Sequence, residues 1–192
     1  MKNNMRRVPW QHACMLLDAT LAALAVTGAS DRERAFADWW DMAAQVREND
    51  RTLYLVGNGA SASMASHFAA DLSKNAAIRA QVFTDLSQIT AIGNDVGFEH
   101  IYAVPLARYA RPGDMLVAIS SSGRSPNIVS AVHAARQAGV FIVTLSAFAE
   151  DNPLRQMGNL NFYVPARSHG LAVTCHAAIL HHWMDGLVVE HD

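Results

Sequence analysis

Cysteine is scarce: Cys14 and Cys175 are the only two, and neither forms a C-x-x-C pair or a Cys/His spacing of zinc-finger type, which excludes a disulfide framework and points to reducing cytoplasm. Charge of one sign is also missing. Fifteen Lys and Arg face seventeen Asp and Glu, a net charge of −2, so the electrostatic footprint of a nucleic-acid or acidic-membrane binder is absent. No apolar run approaches the roughly 20 residues that cross a bilayer. The basic start Met1–Arg7 precedes an apolar stretch from Ala13 to Val26, but Asp18 interrupts that stretch and no cleavage site follows, which argues against a secretory leader. Neither internal repeats nor low-complexity tracts occur.

What the chain does have is apolar material: hydrophobic residues are 51% of 192 and charged residues 17%, enough to bury one sizeable core and too short for two ordinary domains. Two helical patterns open it. Ala13, Leu16, Leu17, Leu21, Leu24 and Ala25 recur at helical spacing over residues 10–26. Phe36, Trp39, Trp40, Ala43, Ala44 and Val46 do so over residues 30–48, with Ser30 in place to cap. Their apolar faces exceed what one flank of a small sheet requires, which points to helix packing between subunits.

From residue 50 the pattern becomes strand and helix in alternation. Five strands are read, at Thr52–Val56, Arg79–Thr84, Met115–Ile119, Val140–Leu145 and Asn161–Val164. Helices run to about Lys74, from Ser125 to Ala138, and from Gly170 to Val189. Crossover helices of this length predict an α/β fold, a three-layer sandwich around a mainly parallel five-stranded sheet, with ligands at the carboxyl ends of the strands.

Two loops there stand out. Ser120-Ser121-Ser122-Gly123-Arg124-Ser125-Pro126-Asn127 sets four hydroxyls at a helix N-terminus, where free N–H groups and the helix dipole attract an anion such as a phosphate monoester. An ordinary serine N-cap is the plain alternative, though capping needs only one serine. The other loop, Gly57-Asn58-Gly59-Ala60-Ser61-Ala62-Ser63, matches G-x-G-x-x-A. With Asp85 closing the next strand it reads as a dinucleotide fingerprint, or else as a turn that admits a sugar phosphate to the backbone while Asn58 and Ser61 bind its hydroxyls. A dehydrogenase would need a substrate domain for which no chain remains, so the second reading is preferred and no nucleotide cofactor is expected. On the helix that follows, His67 and Asp71 share a face. Val173, Ala177 and His181 share one on the last helix, so two imidazoles and a carboxylate can converge for proton transfer between adjacent carbons.

Together Gly57–Ser61, His67–Asp71, Ala91–Asp95, Arg111–Asp114, Ile119–Asn127 and His176-x-x-x-x-His181 resemble the phosphoheptose isomerases of the sugar isomerase (SIS) fold, a flavodoxin-like sandwich. The resemblance runs from about residue 50 to the C-terminus. It implies a single SIS domain over 1–192, with residues 1–50 as a helical extension. It further implies a cytoplasmic homotetramer that converts sedoheptulose 7-phosphate through an enediol to a D-glycero-manno-heptose 7-phosphate, toward the heptose of lipopolysaccharide and other surface polysaccharides. Substrate contacts would fall on Asn58, Gly59, Ala60, Ser61, Asn94, Asp95, Ser120, Ser121, Ser122 and Ser125, with Asp71 and His181 catalytic. The family's zinc-binding His, Glu, Gln and His correspond to His67, Asp71, Val173 and His181. Asp71 is one methylene shorter than the family's Glu, and Val173 cannot bind a metal, leaving a three-ligand zinc site of His67, Asp71 and His181; a metal-free site is equally compatible. Some proteins of this fold lack the carboxylate and only bind, either a replication initiator protein or a sugar-phosphate effector, and Val173 fits such drift.

Overall fold

The computed structural model describes residues 8–188; Met1–Arg7, and Val189 where the last helix is expected to end, lie outside the described residues. The chain runs α1 (Trp10–Ala22), β1 (Ala25–Thr27), α2 (Arg32–Glu48), β2 (Thr52–Gly57), α3 (Ala60–Asn75), β3 (Arg79–Val82), α4 (Leu86–Asp95), α5 (Ala103–Tyr109), β4 (Met115–Ser120), α6 (Pro126–Gln137), β5 (Phe141–Ala147), β6 (Leu160–Val164) and α7 (His169–Asp185).

The sheet has six strands rather than five, in the order β1-β6-β5-β4-β2-β3. The five expected strands are parallel. The sixth, β1, pairs antiparallel with β6, Val26 opposite Phe162; helical spacing assigns its first two residues, Ala25 and Val26, to the first helix. That helix stops at Ala22, and its C-cap N–H reaches back to the carbonyls of Ala19 and Leu21. Asp31, not Ser30, caps α2: its carboxylate accepts from the Arg34 amide while the Ser30 hydroxyl donates to the same side chain.

Side chains of β2 alternate between two cores. Leu53 and Leu55 face α2, α3 and α7, whereas Tyr54 and Val56 face α5 and α6. All of β4 is buried, as the middle strand of a sheet covered on both faces requires. The aromatic stripe of α2 packs inside the chain: Trp39 stacks on Trp183 of α7 with centroids 4.3 Å apart, and Trp40 Nε1 donates to the Trp183 carbonyl at 2.8 Å. α1 is different. It buries only Thr20 and leaves Trp10, Met15 and Leu16 exposed.

After β3 the chain crosses over β2 to enter β4. The loops leaving β2 and β4 therefore diverge at a topological switch point, where an open α/β sheet leaves a crevice. Those are the two loops singled out by sequence.

Candidate active site

Both loops line one cavity of about 340 Å³. Asn58, Gly59, Ala60 and Ser61 come from the first, and Ser120, Ser121, Ser122 and Ser125 from the second, with His169 and Val173 of α7 opposite. Local backbone demands explain the first turn. Gly57 lies so close to Ser61 that a Cβ would sit 2.6 Å from the Ser61 carbonyl carbon, and the Tyr102 hydroxyl donates to the Gly57 carbonyl at 2.5 Å.

In the second loop Gly123 has φ +60 and packs on Asn152, whose Oδ1 occupies the place a Cβ would take. Asn152 is buried and donates to the Ala149 carbonyl at 2.8 Å. Ser125 occupies the N-cap position of α6 yet makes no side-chain cap bond. Its hydroxyl instead accepts from Ser120 Oγ at 3.2 Å, and Ser122 Oγ lies 3.4 Å from Ser120 Oγ. The serines thus turn toward one another instead of capping α6, whose first residue Pro126 has no N–H and whose Ile128 and Val129 amides donate to the Ser125 carbonyl at 3.0 Å, so the hydroxyls themselves and the positive end of the helix are what an anion would meet. Arg124 adds no charge to the cavity, since its guanidinium is drawn out to Asp151 at 2.8 Å.

Between the loops runs a link that sequence reasoning missed. Asn58 Nδ2 donates to Asn127 Oδ1 at 2.9 Å, and Asn127 Nδ2 donates back to Asn58 Oδ1 at 2.7 Å. Asn127 is buried in the first turn of α6, so this reciprocal amide pair ties β2's loop to β4's. Its residue type in the serine motif was visible, whereas its partner 69 positions away was not. His169 was also passed over, although Ser168 as N-cap of α7 marks the helix start that sets it at the cavity.

The two helices carry their polar residues to a common place. His67 Nε2 lies 3.3 Å from Asp71 Oδ2, and the His181 ring meets His67 at 5.7 Å and Phe68 at 4.8 Å between centroids. At 1.5 Å per residue His67 and Asp71 lie about 9 Å and about 15 Å along α3 from Ser61, and His181 about 12 Å along α7 from Val173. His181 and His67 are exposed and Asp71 half-buried. Asn94 and Asp95 end α4 away from the cavity lining, exposed, with Asn94 Nδ2 donating to Asp95 Oδ1 at 2.7 Å.

The donors do not fit zinc as the sequence suggests. His67 and Asp71 spend their facing atoms on each other, Val173 offers no ligand atom, and among the described residues no group of three or more His, Cys, Asp or Glu gathers closely enough to hold a metal ion. His176, beneath the site, is fully buried: desolvation pushes its pKa down to about 4, so the ring is neutral, with Nε2 3.2 Å from the Ser146 carbonyl.

The SIS domain family matches residues 19–147. A phosphoheptose isomerase from Rhodospirillum rubrum is 35% identical over 153 residues, covering 77% of this chain and 80% of that protein. The structure of a phosphoheptose isomerase from Francisella tularensis superposes with a TM-score of 0.81 at 26% identity, over 93% of this chain and 94% of that one. The corresponding enzyme from Neisseria gonorrhoeae gives 0.75 at 30% identity, over 80% and 85%. With the paired loops and the imidazole and carboxylate groups in place, these matches show that the chain belongs to the SIS-domain phosphoheptose isomerase family.

Proposed function

We propose that this protein interconverts sedoheptulose 7-phosphate and a D-glycero-manno-heptose 7-phosphate. The observation that carries the reading is the serine cluster at the start of α6: the hydroxyls of Ser122 and Ser125 gather on Ser120 at the cavity wall and leave the side-chain cap of the helix unmade, so hydroxyl donors and the positive helix end face a dianionic ester. With the phosphate held there, the sugar chain extends from the cavity toward Asp71 and His181. About two to three helical turns along α3 and α7 separate the anion cradle from Asp71 and His181.

In the reaction Asp71 removes the proton from C1 of the ketose and returns it to C2 of the aldose, through an enediol. His181 gives a proton to the C2 oxygen and takes one from the C1 oxygen, so the ring ends as it began. His67 holds the carboxylate from the next turn of α3. Anchoring the remote phosphate fixes the reacting carbons against the base, an effect worth orders of magnitude in rate. No step here passes through a metal.

The whole chain is taken as one domain, because β1 joins the sheet edge and α2 packs on α7. The exposed Trp10, Met15 and Leu16 of α1 support association into a homotetramer, and the product fits a cytoplasmic route to heptose for surface polysaccharide. Among the described residues no helix is long and apolar enough to cross a membrane. Asn94 and Asp95, pointing to solvent, would meet sugar only in such an assembly.

The test is turnover of sedoheptulose 7-phosphate by the purified protein, against Asp71→Asn and His181→Ala. Loss of activity in both variants with ligand binding retained supports the assignment. A parent that binds the ketose phosphate but never converts it points instead to the non-catalytic binder that Val173 favours.

A further inference from the structure

The cavity has an ionisable side chain that its serine motif does not supply. Of the residues lining it, His169 is the one that can carry positive charge: the rest are hydroxyl, amide, aliphatic or glycine groups, and Arg124 is committed to Asp151. A dianion that meets only neutral donors keeps much of its charge uncompensated, so the one imidazole in reach matters.

His169 is also held in place. It is the first residue of α7, whose N-cap Ser168 accepts from the Leu171 amide at 3.3 Å. Its ring stands perpendicular to Phe148, with centroids 4.8 Å apart. Phe148 follows β5 directly and adopts φ +61, a conformation unfavourable for a bulky side chain and persisting only where its surroundings enforce it. Two hydrogen bonds do so. The Tyr163 hydroxyl donates to the Phe148 carbonyl at 2.8 Å, and the neighbouring Ala147 amide donates to the Ser121 carbonyl at 3.0 Å, within the serine loop itself. The imidazole is therefore tied to the phosphate end of the cavity rather than to the Asp71 end, since His181 lies twelve residues further along α7, about 18 Å.

We propose that His169 is a phosphate-binding residue, supplying the cationic hydrogen bond to the substrate's ester group. The inference rests on the phosphosugar reading above and names the group that balances the charge. The experiment pairs calorimetric titration with inorganic phosphate and steady-state kinetics with sedoheptulose 7-phosphate, on the full chain, its His169→Ala variant and its His169→Lys variant. Because His169 is exposed, the melting temperature should not move.

His169→Ala is expected to weaken phosphate binding and raise KM by about tenfold to a hundredfold, the range for a hydrogen bond to a charged group, with kcat little changed. His169→Lys should recover most of the loss. The proposal is overturned if His169→Ala keeps its phosphate affinity and KM, if kcat alone falls, or if the lysine variant is as poor as the alanine one. A parent that isomerises the sugar while His169→Ala binds phosphate normally rejects this inference alone. A parent that binds phosphate through His169 but converts no sugar rejects the activity alone.

Discussion

Replacing Asn127 by alanine removes two hydrogen bonds at one stroke, because each amide of the Asn58–Asn127 pair both gives and receives. At about 1 kcal/mol net for each neutral bond the loss is about 2 kcal/mol. Asn58 is exposed and can turn to water, so the penalty for a stranded buried group adds little to this sum. For a chain of 192 residues such a change lowers the melting temperature by about 4–8 °C. Catalysis should suffer separately: a freed Asn58 must be ordered again when sugar binds, at about 0.5–1.5 kcal/mol, so KM rises roughly 2- to 13-fold while kcat changes little. Urea denaturation of the parent, Asn58→Ala, Asn127→Ala and the double variant closes a thermodynamic cycle. The double variant should be more stable than simple addition predicts by about 2 kcal/mol, since the pair can be lost only once. Additive losses, or a change in Asn127→Ala below about 0.5 kcal/mol, would refute the argument that this pair locks the two loops together.

Buried His176 predicts a pH response. Its folded pKa of about 4 lies below the 6.5 of the unfolded chain, so protonation favours unfolding. The stability it contributes is complete above pH 6.5 and is lost as pH falls from there toward 4, by about 3 kcal/mol in total. His176→Asn should flatten that part of the stability curve, and identical pH dependence in parent and variant would contradict the assignment. Extended dialysis against a chelator should leave turnover intact, because His67 and Asp71 bind each other and Val173 supplies no ligand; activity lost with chelator and restored by added zinc would contradict this.

Much of the architecture was legible because burial leaves a strong mark on sequence. Met115–Ser120, buried on both faces, reads as an apolar run between turn residues, and the serine loop after it announces its chemistry through residue type alone. β1 escaped because three residues carry no usable period, and its pairing depends on β6, which lies far off in the chain. Helices α4 and α5 escaped too. α4 buries no residue fully, and α5 is only seven residues long. At the site, the i and i+4 spacing of His67 and Asp71 foretold a shared face, and their 3.3 Å contact follows from it. The partner of Asn58 and the approach of His169 to Phe148 are products of tertiary packing, with no local pattern to betray them.

The central claim is that Asp71 carries a proton between adjacent carbons of a sugar whose phosphate is held by the serine loop. Isomerisation of sedoheptulose 7-phosphate in deuterium oxide, followed by NMR of the product, tests it most directly. The account predicts solvent deuterium at C2 of the aldose with the parent, and none with Asp71→Asn although that variant still binds the ketose phosphate. Deuterium appearing at C2 at an undiminished rate with Asp71→Asn would contradict it.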